Sequence, residues 1–197
     1  MFMIQYYIFY KPFNVLCQFS PEGEKKTLAH YLLHLSKDIY PVGRLDHDSE
    51  GLLLLTNDKA LTHHLLDPKF EHQRTYWVQV EGSITEEALR QLEEGVNISI
   101  DGKKYKTRPA IAKVFDTEPQ VPDRDPPIRY RKEIPTSWLS LNITEGKNRQ
   151  VRRMTAATGF PTLRLIRYSI GKVTIDGMQP GECKRADEYI KRALLSL

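Results

Sequence analysis

Cysteine is scarce: Cys17 and Cys183 are the only two in 197 residues, too few for a disulfide framework or a zinc site. No stretch approaches the ~18 apolar residues that a membrane span requires. The opening Met1-Phe2-Met3-Ile4-Gln5-Tyr6-Tyr7 has neither a basic region nor a small-residue cleavage site, which argues against a secretory leader. A Gly-rich phosphate loop followed by Lys and Ser or Thr is also missing, so phosphoryl transfer of that kind is disfavoured. There is no internal repeat and no low-complexity tract. These absences lead us to expect a reduced, metal-free, cytoplasmic protein without membrane association.

Acidic side chains are missing from one particular place. The net charge is only +4, and a mild excess says little by itself. Between Glu145 and Arg167, however, lie Lys147, Arg149, Arg152, Arg153, Arg164 and Arg167, opposed by Glu145 alone. Such clustering suits a phosphate backbone. With 40% hydrophobic and 27% charged residues, the chain has a globular balance, and its length allows one large domain or two small lobes.

Strand formers fill Tyr7-Ile8-Phe9-Tyr10 and stop at Lys11-Pro12. Leu28, Tyr31, Leu32 and Leu35 then recur at helical spacing behind Thr27, an expected N-cap. Leu52 to Leu55 reads as a strand buried on both faces, and Asn57-Asp58 as a cap before a short helix with Leu61 and Leu65. Alternation in Tyr76-Trp77-Val78-Gln79-Val80-Glu81 predicts a half-buried strand ending at Gly82, with Tyr76, Val78 and Val80 on one face. A helix is expected from Thr85 to Glu94, ended by Gly95, and another strand through Leu139, Leu141 and Ile143. From Asp116 to Thr136 the prolines interrupt a charged stretch with Arg124, Arg129, Arg131 and Lys132, which excludes ordinary helix or central strand. That loop reads either as a surface connection or as a segment that touches RNA. The mixture favours an α+β fold with a mainly antiparallel mixed sheet and flanking helices.

Two segments carry chemistry. Gly43-Arg44-Leu45-Asp46-His47-Asp48-Ser49-Glu50-Gly51 is a polar loop with two aspartates that leads into the apolar strand. Loops beside rigid strands often present reactive groups, although aspartates there also bond turn backbone. In Glu145-Gly146-Lys147-Asn148-Arg149-Gln150-Val151-Arg152-Arg153-Met154, a helix from about Asn148 to Thr158 would place Val151, Met154, Thr155 and Thr158 on one stripe. Arg149, Arg152 and Arg153 would share the opposite one, suited to phosphate capture or to pairing with a carboxylate.

Taken together, Gly43 to Thr56 resembles the signature of the RsuA-type ribosomal RNA pseudouridine synthases. Lys11-Pro12, Thr75-Tyr76, Asn148 to Met154, Leu163 to Arg167 and Gly181-Glu182 resemble the remaining motifs in order. Pro126-Pro127-Ile128-Arg129 and Ile134 to Leu139 are similar to the RluE subgroup, which acts on large-subunit ribosomal RNA. Because Lys11-Pro12 lies so near Met1, we expect no S4 module of the kind that many relatives carry. The resemblance implies a catalytic domain over residues 1–197, two-lobed with a central cleft, working as a monomer without metal or cofactor.

The resemblance also implies roles. Asp46 would be the catalytic carboxylate, Tyr76 would stack on the target base, and Arg152 would be the cation that keeps Asp46 ionised. Arg44, Lys147, Arg149, Arg153, Arg164 and Arg167 would contact RNA, a large-subunit stem-loop whose uridine is flipped out. Two other readings stay open. One is a non-catalytic RNA-binding or ribosome-assembly protein; the other is a synthase acting on transfer RNA or small-subunit RNA.

Overall fold

A computed structural model of the chain describes residues 3–128 and 133–197. Arg129, Arg131 and Lys132, expected in an RNA-touching loop, lie outside the described residues, as do Met1 and Phe2. The chain divides into two compact units, one formed by Met1–His72 with Arg167–Leu197 and the other by Gln73–Ile166.

In the first unit, β1 (Tyr6–Lys11) is followed by the short strands β2 (Val15–Leu16) and β3 (Lys26–Thr27), helix α1 (Ala29–Leu32) and β4 (Tyr40–Pro41). Then come β5 (Glu50–Thr56) and α2 (Lys59–Leu66). β1 pairs antiparallel with β5, Tyr6 facing Thr56 and Lys11 facing Gly51. Every residue of β5 is buried, as the wholly apolar run predicts. The core is built from Phe9, Val15, Leu28, Leu32, Ile39, Leu53 and Leu55. Asp58 caps α2 by accepting from the Leu61 N–H at 3.0 Å. Helix α1 differs from expectation: its N-cap is Leu28 with no side-chain cap. Thr27 cannot serve, because it belongs to β3 and its N–H donates to His30 Nδ1 at 3.1 Å.

The second unit contains β6 (Arg74–Glu81), α3 (Glu86–Glu94), β7 (Asn97–Ile100), β8 (Lys103–Lys106), β9 (Ile111–Val114), β10 (Thr136–Ile143) and α4 (Gln150–Ala157). β10 pairs antiparallel with both β6 and β9, and β7 with β8. Tyr76, Val78 and Val80 of β6 join Leu139, Leu141 and Ile143 of β10 in one core, which α3 enters with Leu92 and α4 with Val151 and Met154. The alternation read from the sequence is thus the side-chain alternation of two paired strands. Thr85 caps α3 through the Ala88 N–H at 3.2 Å. Gly95 ends the helix at φ 83°, with no room for a Cβ against the Thr107 carbonyl. The described residues between β9 and β10 form no helix or strand.

β11 (Thr162–Ile170) carries the chain back to the first unit, where β12 (Val173–Thr174), β13 (Cys183–Arg185) and α5 (Glu188–Leu195) complete it. β13 pairs antiparallel with β1, Phe9 facing Cys183. The α+β class and the mainly antiparallel sheet with flanking helices agree with the sequence reading. β2 and β3 form a parallel pair.

Candidate active site

Asp46 sits, half-buried, in the loop between β4 and β5. Its peptide is held from several directions within the first unit. On one side, the Leu45 N–H donates to Cys17 Sγ at 3.2 Å. On the other, the Lys11 ammonium donates to the His47 carbonyl at 3.4 Å. The Asp46 carbonyl itself accepts from the Ser49 N–H at 3.1 Å and closes the turn. Both residues flanking Asp46 are therefore tied to the short segment from Lys11 to Cys17. A carboxylate on such a peptide is pre-positioned, which is what a reacting group needs.

Lys11 is the pivot of this arrangement. Its side chain is fully buried, and its ammonium also donates to the Pro12 and Val15 carbonyls, each at 2.8 Å. Burial pushes its pKa down from 10.5 to about 8, against the pull of Cys17, Glu50, Asp48 and Asp46. Burial also pushes the Cys17 thiol up, against the Leu45 N–H and the charges of Lys11, Arg167 and Arg44. Cys17 is accordingly a neutral acceptor here, not a nucleophile. Gly51 follows at φ 106°, and a Cβ on it would run into the Arg167 backbone. Only glycine lets the chain behind the Asp46 loop pass that close.

The second unit carries Tyr76 and the arginines of α4. Tyr76 faces Leu141 across the β6–β10 pair and is 9% exposed, largely a core residue by area. Arg152 and Arg153 are half-buried, while Lys147 and Arg149 are exposed. Arg149 stands at the N-cap of α4 with φ 50°, a left-handed conformation that a non-glycine side chain adopts at some cost. Glu145, 7% exposed, anchors this turn. It accepts from the Tyr105 hydroxyl, from the Arg108 N–H at 2.9 Å and from Gln150 Nε2 at 2.6 Å. The same Glu145 pushes the Tyr105 pKa up. Arg153 is likewise engaged, donating to the Ser99 carbonyl and to Asn148 Oδ1 at 3.1 Å.

Placement differs most from expectation at Arg164 and Arg167. Both arginines, read from the sequence as RNA contacts, lie on β11 with only 6% and 5% exposure. Arg164 donates to the Pro122 carbonyl at 2.8 Å and Arg167 Nε to the Leu52 carbonyl at 2.8 Å. Each guanidinium thus has one nitrogen engaged with a backbone carbonyl in the interior. Arg44 is exposed in the Asp46 loop. Asp46, Arg44 and Arg167 thus belong to the first unit, and Tyr76, Lys147, Arg149, Arg152, Arg153 and Arg164 to the second. Sequence reading missed Cys17 as an anchor, because a lone cysteine was weighed only as a thiol. It also counted Glu145 only as the acid opposing the basic cluster, although its spacing to Gln150 on the coming helix was a usable signal.

The RNA pseudouridylate synthase family matches residues 5–157. The chain belongs to that family. Pseudouridine synthases are isomerases, and the relatives below support the RluE subgroup for this chain. It is 54% identical over 172 residues to a "Ribosomal large subunit pseudouridine synthase E" of Xanthomonas axonopodis pv. citri (strain 306), covering 86% of this chain and 87% of that one. To a "Ribosomal large subunit pseudouridine synthase B" of Bacillus subtilis (strain 168) it is 33% identical over 192 residues, 98% of this chain and 72% of that one. Among solved structures, a pseudouridylate synthase crystal structure superimposes with TM-score 0.80 at 27% identity, over 98% of this chain and 74% of the other. No metal-ligating cluster of three or more His, Cys, Asp or Glu occurs among the described residues.

Proposed function

We propose that this pseudouridine synthase isomerises a specific uridine of large-subunit ribosomal RNA, with Asp46 as its catalytic carboxylate. The observation that carries the reading is the tethering of the Asp46 peptide on both flanks, by Cys17 and by Lys11. The likeness to synthases of the large ribosomal subunit supports the substrate class.

The reaction breaks the bond from C1′ to N1, turns the base and joins C1′ to C5, and the C5 proton leaves as N1 takes one up. Nothing is gained or lost overall, so the protein's task is positioning and charge placement. Whether Asp46 attacks C1′ or takes the C2′ proton, its oxygen must be unprotonated beside the sugar. Tyr76 contacts the base and can assist removal of the C5 proton.

A cation near the carboxylate favours its ionised form. Arg152 holds that role by its motif. Arg167 is the second candidate, favoured by a specific observation: its guanidinium is buried in the unit that carries Asp46, and Nη2 has no hydrogen-bond partner among the described residues. A buried donor left over in this way suits a carboxylate more than solvent.

The deciding experiment is to map pseudouridines in the ribosomal RNA of cells lacking the protein. Loss of a single large-subunit site supports the reading. An unchanged map overturns it, and loss from transfer RNA or small-subunit RNA moves the activity to another substrate.

A further inference from the structure

The hairpin formed by β7 and β8 has no part in the chemistry above. Its inner side is settled: Ile98 is in the core of the second unit, with Ile100 and Tyr105 packed against it. Ile98 faces Tyr105 and Ile100 faces Lys103 across the ladder. The outer side is polar throughout, with Asn97 facing Lys106 and Ser99 facing Lys104. Lys103 and Lys104 are exposed, and no ion pair or hydrogen bond engages either side chain among the described residues. The acidic residue of the hairpin itself is Asp101, at the turn.

This hairpin is locked to the start of α4. Tyr105 donates to Glu145, Arg153 donates to the Ser99 carbonyl, and the Lys147 ammonium lies 5.1 Å over the Tyr105 ring. Glu145 is buried and consumed by its donors, so it does not neutralise the surface. Lys103, Lys104 and Lys147 therefore stand on one connected frame.

We propose that the β7–β8 hairpin is a phosphate-binding track, holding the sugar-phosphate backbone of the RNA that flanks the modified uridine. Protein interfaces are depleted of lysine and centre on apolar side chains, whereas nucleic-acid interfaces are polar, basic and wet. The exposed part of this hairpin, with Lys104 on the outer face and Lys103 opposite Ile100 beside the turn, fits only the second description. The inference rests on the proposed activity and adds where the remainder of the RNA lies.

The test compares Lys103→Gln/Lys104→Gln with Lys26→Gln/Lys59→Gln, an equal loss of charge at exposed positions of the first unit. The probe is a large-subunit ribosomal RNA transcript that the parent modifies. Two lost phosphate contacts should weaken binding about tenfold at ~0.1 M salt and make the dependence of log Kd on log salt shallower by about 1.5. Turnover at saturating RNA should fall far less than affinity, and the first-unit variant should bind like the parent. Unchanged affinity and slope in the hairpin variant overturn the inference, as does an equal loss in the first-unit variant. A parent that cannot isomerise the transcript overturns the proposed activity and the inference together, so the two failures are distinct.

Discussion

Replacing Lys11 by methionine separates the two jobs of its ammonium. At pH 7 the buried charge costs stability: the fall of its pKa from 10.5 to about 8 corresponds to roughly 3 kcal/mol. Methionine removes that cost but leaves the Pro12 and Val15 carbonyls, and the more distant His47 carbonyl, without their donor. Of these acceptors only the Val15 carbonyl is held by a fully buried bond, and one orphaned buried acceptor costs about 1–3 kcal/mol, so the two changes largely cancel. The expected net change in unfolding free energy is within about 2 kcal/mol, small enough for the variant to fold. Catalysis should behave differently. With the His47 tether gone, the Asp46 peptide keeps only Cys17 and the Ser49 turn, and a misplacement of ~1 Å can cost as much as 10²-fold. We expect turnover to drop by about tenfold to a hundredfold, while the RNA Kd stays within about threefold because binding is mainly phosphate-driven. Tritium release from C5-labelled uridine under single-turnover conditions reads the first, filter binding the second and urea unfolding the third. A variant that folds and turns over within twofold of the parent would refute the tether argument.

Further expectations follow from the same geometry. Because the native state holds Lys11 at about 8 against 10.5 unfolded, it binds fewer protons across that window, and stability must rise with pH there. From pH 8 to 9 the Lys11 contribution is about 1 kcal/mol, read by urea midpoint as the change in the parent minus the change in Lys11→Met, because the raised thiols of Cys17 and Cys183 oppose it in both proteins. Arg152→Ala and Arg167→Lys should divide the cation role: the true partner of Asp46 loses turnover more than affinity, and equal loss of both marks a phosphate contact instead. Gly51→Ala should destabilise the protein by about 3 kcal/mol or more in thermal unfolding, since its φ of 106° and the Arg167 backbone both reject a Cβ.

The elements that depend on local pattern were legible. β5, β6, β10, the cap Asp58, the helix that follows Thr85 and the helix of Arg152 follow from alternation, apolar runs and capping residues. The burial of Arg164 and Arg167 was not legible in the sequence. Their β11 is buried along most of its length, and what keeps a guanidinium inside is a distant carbonyl, Pro122 or Leu52, that no local pattern reveals. The tethers of Asp46 were hidden for the same reason. Lys11 and Cys17 are about 30 residues or more from the peptides they hold, and a lysine at a strand end reads as a polar stop until the fold encloses it.

The most direct test of the whole account is Asp46→Asn, an isosteric change that removes only the charge and the basic oxygen. RNA binding is expected within about tenfold of the parent, with no tritium released from C5-labelled ribosomal RNA. Appreciable release by this variant would contradict the assignment of Asp46 as the catalytic carboxylate.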